Sequence, residues 1–370
     1  MKRKTNIISD GTLSFQDYRN IIAKGFLYAE NKIPDESIQP ASIDLRLDKF
    51  GYELSSSFLA INETVNEKLK YFKIKKIDIS NGYLFKKNIT YLIELQENLK
   101  LDKYISGKCN PKSSTGRLDI FCRTISDYNS EYENINHGYK GKIFLEITSK
   151  TFNIVFKTGD KLNQLRLRNK KTFYLDDKTL KSINKKNSLL FNNIGKKINP
   201  DIKEGLKIKA DLSYKNKIVA FKAKKQSPKI YFNKFKSYKI KDYWIPIKGR
   251  KSNSIIIEPN EFYILISKEK ICIPPKFAAE MIPYDTNIGE FRVHYAGFFD
   301  PGFGTKKNGS FAVLEIKTYE VPFSIQDGQN VARLIFEKLA QIPDKLYGKE
   351  IKSNYHNQGL ALSKHFRIID

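Results

Sequence analysis

The sequence predicts a mainly β fold made of two tandem cores with small helical additions. Short segments rich in β-branched and aromatic residues recur along the chain, for example at 89–93, 142–145, 153–156 and 255–257. Each is bounded by Gly, Pro, Asn or Asp, which is typical of strands that end in turns. In addition, the order of these segments in the first half of the chain recurs in the second half.

The repeat is visible when the sequence is compared with itself. Residues 88–114 resemble residues 260–286, which lie 172 positions further on, and the tripeptide Leu-Glu-Ile occurs at 145–147 and again at 314–316. We therefore predict a first core at residues 1–171 and a second core at residues 201–370. The intervening segment, 172–200, is rich in Lys and Asn and is predicted to be a linker.

One helix is predicted near the start of the chain. Ser14 and Asp17 have the spacing of a capping box ahead of the apolar residues Tyr18 and Ile21, and Gly25 can end the helix.

Composition narrows the class of protein. The chain has 370 residues, of which 40% are hydrophobic, so it can bury the cores of two domains. It contains neither a run of about 18 apolar residues nor a signal-peptide pattern, which favours a soluble cytoplasmic protein without a membrane partner. The three cysteines, Cys109, Cys122 and Cys272, are too few and too far apart to indicate disulfides or a zinc site.

The net charge of +26 raises the possibility of a nucleic-acid partner. Lysine supplies 55 of the 66 basic residues and is spread along the whole chain, which is more typical of general composition than of a binding surface. We expect no nucleic-acid partner, and a positive field of this kind also attracts an anionic small substrate.

The segment 111–117 reads Pro-Lys-Ser-Ser-Thr-Gly-Arg and is a candidate phosphate-binding loop. Lys112 and Arg117 supply positive charge, Ser113 and Ser114 supply hydroxyl groups, and the glycine permits close approach of a ligand. A solvated polar turn can have the same composition, so the loop does not identify a function by itself.

Five segments in order resemble the motifs of dCTP deaminases. They read QPASIDLRL at 39–47, KSSTGRL at 112–118, GKIFLE at 141–146, AGFFDPG at 296–302 and YHNQG at 355–359. The resemblance is greatest to the long, two-repeat branch of this dUTPase-like superfamily. It implies two dUTPase-like β-barrel cores, a homotrimer, and hydrolytic conversion of dCTP to dUTP and ammonia, with Mg²⁺ held by the triphosphate.

The resemblance also implies a glutamate on a core strand that moves protons between water and cytosine. Glu146 and Glu315 both match. The phosphate loop is present in the first half, whereas the corresponding second-half segment has Tyr-Asp-Thr at 284–286 and Gly289. The Phe-Asp-Pro-Gly turn at 299–302 is present in the second half, where we align it with residues 125–128 of the first. The resemblance further implies that each site lies between neighbouring cores, with the Ser-Ser and Arg motif from one core and the glutamate from another. We therefore expect one working site that combines Ser113, Ser114 and Arg117 with Glu315, and a degenerate site around Glu146.

Further substrate contacts are implied residue by residue. The resemblance assigns them to these positions: Lys112, Ser114, Ala296, Asp300, Tyr347, Tyr355 and Gln358. Two departures stand out. Phe298 occupies a position where the family has an arginine, and Asn354 replaces a lysine in the tail, for which Lys352 is a candidate substitute.

Other functions are compatible with the same motifs. One is a dUTPase, or a bifunctional deaminase and diphosphatase that releases dUMP. Another is a catalytically dead protein that binds dCTP for regulation. A basic nucleic-acid-binding protein is a third, and steep salt dependence of DNA affinity would distinguish it.

A chelator tests the expected chemistry. Zinc deaminases carry an H-x-E and P-C-x-x-C signature that this sequence lacks, and His137, His294, His356 and His365 do not have metal-ligand spacing. We predict that ammonia release from dCTP survives removal of zinc when Mg²⁺ is resupplied. Activity that returns only after zinc is added would contradict this prediction.

Overall fold

The structure is a computed structural model in which the described residues fall into several ranges. They are 9–169, 174–213, 217–249, 251–283, 291–294, 297–306, 308–351, 355 and 359–367, with 283 and 291–294 described by their backbone. The residues up to 171 are called the first half below, and those from 172 onwards the second half.

The first half is a set of short strands with three helices. Its strands are β1 (Gly11–Thr12), β2 (Leu27–Tyr28), β3 (Ile43–Leu45), β4 (Leu47–Leu54), β5 (Lys73–Asp78), β6 (Tyr83–Phe85), β7 (Thr90–Lys100), β8 (Ile105–Pro111), β9 (Ile120–Ser126), β10 (Asn134–Ile135), β11 (Lys140–Ser149), β12 (Ile154–Phe156) and β13 (Asn163–Asn169). Its helices are α1 (Phe15–Ala23), α2 (Val65–Phe72) and α3 (Ser113–Gly116).

The second half continues the same kind of structure. Its strands are β14 (Leu190–Phe191), β15 (Leu206–Lys209), β16 (Ile218–Ala223), β17 (Ile230–Tyr231), β18 (Tyr238–Lys239), β19 (Trp244–Lys248), β20 (Ser254–Ile257), β21 (Tyr263–Ile271), β22 (Phe277–Pro283), β23 (Phe291–His294), β24 (Phe298–Phe299), β25 (Ser310–Thr318), β26 (Phe323–Gln326), β27 (Asn330–Lys338) and β28 (Phe366–Arg367). Its helices are α4 (Asp177–Lys186) and α5 (Ile240–Tyr243).

Both halves have the same sheet topology. In the first half the sheets run β1-β13-β8-β10, with β3 also paired with β13, and β5-β4-β7-β11-β9, and β6 pairs with β12. In the second half the corresponding sheets run β15-β27-β22-β24, where β15 has the position of β3, and β19-β16-β21-β25-β23, and β20 pairs with β26. The prediction of a mainly β fold with two tandem cores is therefore confirmed.

The predicted N-terminal helix is α1. The Asp17 carboxylate accepts hydrogen bonds from the Ser14 backbone N–H at 2.9 Å and from its hydroxyl at 2.7 Å, as a capping box requires. Gly25 follows the helix with a φ of 71°, which a glycine adopts without strain. The buried residues Phe15, Tyr18 and Ile21 anchor the helix on the first core.

The segment 172–200 was predicted to be a linker, and its described part is ordered on the second core. It contains α4 and β14, and Leu180, Leu189 and Leu190 are buried in the second hydrophobic cluster. The composition was misleading because the lysines of α4 are exposed to solvent, while a few apolar residues make the contact.

An insertion in the second half closes against the first half. Residues 224–243 lie between β16 and β19, where the first half instead has α2. In this insertion β17 pairs in parallel with β12, and β18 pairs in parallel with the tail strand β28. The fully buried ring of Trp244, which follows directly, contacts Phe152 edge to face at 5.6 Å between ring centroids. The insertion thus ties the C-terminal tail to the first core.

A buried ion network also joins the halves. Arg168 on β13 donates to Glu337 on β27 at 2.5 Å, and the Thr12 hydroxyl donates to the same carboxylate at 2.6 Å. Arg166, which has no exposed surface, lies 3.7 Å from Glu337 and donates to the carbonyl oxygen of Ala279 at 3.0 Å. Burial by itself would raise the pKa of Glu337, but the two guanidinium groups outweigh it and hold the pKa below its usual value.

Among the described residues, the helices are all too short to cross a membrane.

The ion network predicts a large loss of stability when its carboxylate is removed. Glu337→Ala leaves two buried arginines without their shared partner, so the free energy of unfolding should fall by about 3–5 kcal/mol. Urea unfolding measures it. Glu204→Ala is the control, since this carboxylate is 69% exposed and its pair with Arg333 should contribute at most about 1 kcal/mol. Equal losses in the two variants would contradict the importance of the network.

Candidate active site

A cavity of about 480 Å³ lies between the two halves and contains most of the residues that the sequence singled out. From the first half it is lined by Asp44, Lys112, Ser113, Ser114, Arg117, Asp160, Lys161 and Gln164. From the second half it is lined by Phe298, Phe299, Asp300, Glu315, Tyr347, Tyr355 and Lys364, among others. The structure therefore places the first-half loop and Glu315 in the same cavity, as the sequence analysis expected.

Glu315 is one of the buried carboxyl groups that line this cavity. It lies on the central strand β25, paired with Ile264 on one side and with His294 on the other. Burial raises its pKa to about 8, and the nearby Arg117 guanidinium opposes that rise. The distance from Arg117 Nε to Glu315 Oε1 is 3.9 Å. A carboxyl group with such a pKa can both accept and donate a proton near neutral pH.

The loop that carries Arg117 is held by backbone contacts. After β8 ends at Pro111, the Lys112 N–H donates to the Leu162 carbonyl oxygen at 2.8 Å, and the Thr115 hydroxyl donates to the same oxygen at 2.7 Å. The short helix α3 then turns the chain so that Arg117 is buried under the second half. The sequence analysis expected Arg117 to lie in one site with Glu315, and the structure places its guanidinium beside that carboxyl group.

The C-terminal tail, of which the structure describes residues 355 and 359–367, covers this loop. The Tyr355 hydroxyl is 2.7 Å from the Ser114 hydroxyl, and its ring stacks on the Arg117 guanidinium at 3.9 Å. Arg117 Nη1 also donates to the Ala361 carbonyl oxygen at 3.0 Å, and the Ser363 hydroxyl donates to the Ser114 carbonyl oxygen at 3.0 Å. Tyr355 and the tail therefore orient Arg117 from above the cavity.

Burial of His365 fixes the end of the tail. Its ring lies 2.9 Å from the Ser363 hydroxyl through Nδ1 and 2.7 Å from the Phe232 carbonyl oxygen through Nε2. Burial lowers its pKa to about 4, so the ring is neutral at physiological pH. The tail is thereby joined to the insertion 224–243.

A second group of charges lines the cavity. Lys112 forms an ion pair with Asp44, and Lys161 and Lys364 lie near it with Asp160. Burial and the neighbouring Lys112 lower the pKa of Lys364 to about 8, and burial raises the pKa of Asp160 to about 6. Such a cluster of lysines suits a polyphosphate, since each added negative charge relieves their mutual repulsion.

Asp300 forms the wall of the cavity together with Phe298 and Phe299. Burial raises its pKa to about 6, with Arg166 opposing that rise. The Arg166 guanidinium lies 3.6 Å from the Asp300 carboxylate and stacks 3.9 Å over the Phe298 ring. Where the second-half motif has lost its arginine, an arginine from the first half therefore supports the turn.

Glu146 lies outside this cavity. Its carboxylate accepts two hydrogen bonds from Arg123, at 3.0 Å from Nε and 2.5 Å from Nη2. Arg123 is in turn stacked 3.7 Å over Tyr132 and donates to the Ser57 hydroxyl at 2.9 Å. Because Arg123 pairs with Glu146 in the β-ladder, it occupies the register position that His294 has beside Glu315.

The strand pairing corrects one alignment between the halves. Residues 125–128 were matched to the turn at 299–302, but Ile135 pairs on β8 as Phe299 pairs on β22. The hydrogen bonds agree: Leu101 N–H donates to Tyr139 O at 2.9 Å, and Ile273 N–H donates to Phe303 O at 2.8 Å. The counterpart of the turn is therefore residues 135–138, and residue 136, an asparagine, replaces Asp300. The misalignment arose because the loop between β9 and β10 in the first half is longer than the corresponding loop between β23 and β24 in the second half.

Family models match nearly the whole chain. The N-terminal domain of 2'-deoxycytidine 5'-triphosphate deaminase matches residues 9–171, and the C-terminal domain of the same family matches residues 176–366. The chain belongs to the dCTP deaminase family. The resemblance found in the sequence motifs is thereby confirmed.

Individual relatives agree with this assignment. A crystal structure of 2'-deoxycytidine 5'-triphosphate deaminase from Agrobacterium tumefaciens superposes with a TM-score of 0.85, is 36% identical, and covers 91% of this chain and all of its own. The dUMP-forming dCTP deaminase of Nanoarchaeum equitans is 28% identical over 41% of this chain and 76% of its own length. That of Methanosphaera stadtmanae is 27% identical over 39% of this chain and 73% of its own length.

The family motifs contain some of the residues that line the cavity and miss others. Ala296 and Gln358, as well as Lys352 and Asn354, lie outside the described residues. Arg166 and Asp160 were missed as site residues because none of the five segments that resemble family motifs contains them. Asp160 was visible as part of the Thr-Gly-Asp-Lys-Leu repeat at 158–162, so the internal duplication was the available signal.

Proposed function

We propose that this chain is a hydrolase that converts dCTP and water to dUTP and ammonia in the cavity between its halves. The observation that carries this proposal is the buried Glu315 carboxyl group beside Arg117, in a cavity that also holds three lysines. Membership of the dCTP deaminase family supports the same substrate and reaction.

Glu315 is proposed to transfer the protons of the reaction. As a carboxylate it takes a proton from the water that attacks C4 of cytosine, and as an acid it returns protons to N3 and to the departing amino group. Its pKa of about 8 lies close to neutral pH, so neither protonation state is costly to reach. Arg117 orients the carboxylate and favours its charged form.

The lysines are proposed to bind the triphosphate. Lys112, Lys161 and Lys364 form a positive cluster that would face three phosphate groups. Mg²⁺ fits here as well, because it is usually held by substrate phosphates with one or two carboxylates. In the described part of the chain, Asp44 Oδ1 and Asp300 Oδ1 are buried without a hydrogen-bond partner, and either oxygen could bind the ion or its water. The ion would neutralise phosphate charge.

A second candidate reaction is further hydrolysis of dUTP to dUMP. The relatives from Nanoarchaeum equitans and Methanosphaera stadtmanae are named dUMP-forming, which favours this possibility. Incubation with dCTP followed by chromatographic separation of dUTP, dUMP and pyrophosphate distinguishes the two. Deamination without dUMP identifies a monofunctional enzyme. Binding of dCTP without release of ammonia would instead indicate a regulatory protein.

The two glutamates provide a matched pair of variants. Glu315→Gln keeps the shape of the side chain but cannot cycle a proton, so ammonia release should fall roughly 10²- to 10⁴-fold while dCTP binding is kept. Glu146→Gln should have a much smaller effect on turnover, because Glu146 is paired with Arg123 outside the cavity. Ammonia release and calorimetric dCTP binding are measured for both. The opposite order of effects would place the working site in the first half.

Arg117 and Lys364 test the two groups of charges separately. Arg117→Lys retains a positive charge but loses the planar fork and its hydrogen bond to the Ala361 carbonyl oxygen. Because a charged hydrogen bond contributes about 1.5–3 kcal/mol, kcat/KM should fall about 10- to 100-fold. This defect should persist with deoxycytidine, because Arg117 lies beside Glu315. The defect of Lys364→Met should be confined to dCTP.

Ser113→Ala completes this series. Its hydroxyl lines the cavity, and its removal should lower turnover more than dCTP binding. Steady-state kinetics of the three variants with both substrates provides the measurement. Unchanged dCTP kinetics of Arg117→Lys would show that Arg117 has no role in the reaction.

A further inference from the structure

A second buried ion pair crosses between the halves directly beneath the site. Lys317 Nζ on β25 lies 3.2 Å from Asp119 Oδ2 in the first half. The two side chains are almost fully buried, with 5% of Lys317 and 1% of Asp119 exposed. Burying two charges costs several kcal/mol each before their attraction offsets it, so stability by itself is a weak explanation for such a pair.

The positions of the two residues in sequence are informative. Lys317 follows Glu315 by two residues on the same strand, so both side chains lie on one face of β25. Asp119 follows Arg117 by two residues at the end of the site loop. The ion pair therefore connects the two segments that carry the proposed acid-base group and its guanidinium partner.

Asp119 is fixed on the first half by local contacts. Its backbone has a φ of 54°, its carboxylate accepts from the Thr151 hydroxyl at 2.5 Å, and its carbonyl oxygen accepts from the Lys150 N–H at 2.9 Å. Lys317, which reaches this carboxylate from β25, is therefore attached to a fixed part of the first half.

The spacing of Arg117 and Glu315 needs such a fixed point. Their 3.9 Å separation exceeds the about 2.7–3.2 Å of a hydrogen bond, so direct bonding between them does not set the distance. The tail holds Arg117 from one side, through Ala361 and Tyr355. The segment that carries Glu315 is tied to the Arg117 loop by the Lys317 to Asp119 pair.

We propose that Asp119 and Lys317 are positioning residues that set the distance between Arg117 and Glu315 across the two halves. This inference rests on the proposed function, because it takes Arg117 and Glu315 as the working pair. Neither residue need touch the substrate. Their effect on the reaction is exerted through the alignment of the two segments, where a displacement of about 1 Å can cost about 10²-fold in rate.

Four variants test the inference. Lys317→Met and Asp119→Asn should each lower kcat for dCTP deamination about 10- to 100-fold with KM largely unchanged, and the double variant should be no worse than either single one. Asparagine tolerates the left-handed backbone at position 119. Lys317→Arg should restore most of the lost kcat, because it preserves the charge.

Lys108→Met is the matched control. Lys108 also pairs with a carboxylate across the halves, at 2.7 Å from Glu280, but it touches neither Arg117 nor Glu315 in the described structure. It should lower the urea midpoint without lowering kcat. For each variant, kcat, KM and the urea midpoint are measured together.

The results separate this inference from the proposed function. If Lys317→Met and Asp119→Asn keep the kcat of the parent, or if their kcat falls only as much as that of Lys108→Met, the positioning role is wrong. That outcome leaves the proposed function intact as long as Glu315→Gln is inactive. A fully active Glu315→Gln protein would overturn both.

Discussion

The buried network of Arg166, Arg168 and Glu337 constrains the rest of the molecule. Both arginines lie on β13 in the first half, and the carboxylate lies on β27 in the second. Because buried charges of this kind require partners at short range, the two sheets have one favourable register against each other. That register places the wall of the cavity, with Asp300, against the first-half loop that carries Arg117.

Duplication explains why one chain can contain both parts of a site, and divergence explains why the two glutamates differ. In the first half, the segment between β4 and β5 contains α2. Ser57 in this segment accepts a hydrogen bond from Arg123, the arginine that forms an ion pair with Glu146. In the second half, the equivalent insertion turns towards the first core and the tail instead, and its Phe232 lines the cavity. Glu315 consequently faces the cavity instead of this arginine, and burial raises its pKa.

Local strand signals predicted the fold, and the likeness of the two halves to each other predicted the repeat. The pairing of the Arg117 loop with Glu315 followed from the resemblance to dCTP deaminases. The sequence did not predict Arg166 or the Lys317 to Asp119 pair. Their roles depend on how two sheets distant in sequence lie against each other, and a basic residue on a strand has no local signal that distinguishes a buried cation from a solvated one. The 172–200 segment was misjudged for a related reason, since three buried leucines were outnumbered by surface lysines and asparagines.

The central claim is that one chain supplies both Arg117 and Glu315 to the same site. It is tested most directly by mixing two inactive variants, Arg117→Ala and Glu315→Gln, under conditions in which chains exchange. With the site formed within a chain, every mixed assembly still contains one defect per site, so the mixture should show no more ammonia release from dCTP than the two variants do separately. Activity well above that sum would show that the two residues meet between chains, and would contradict the account.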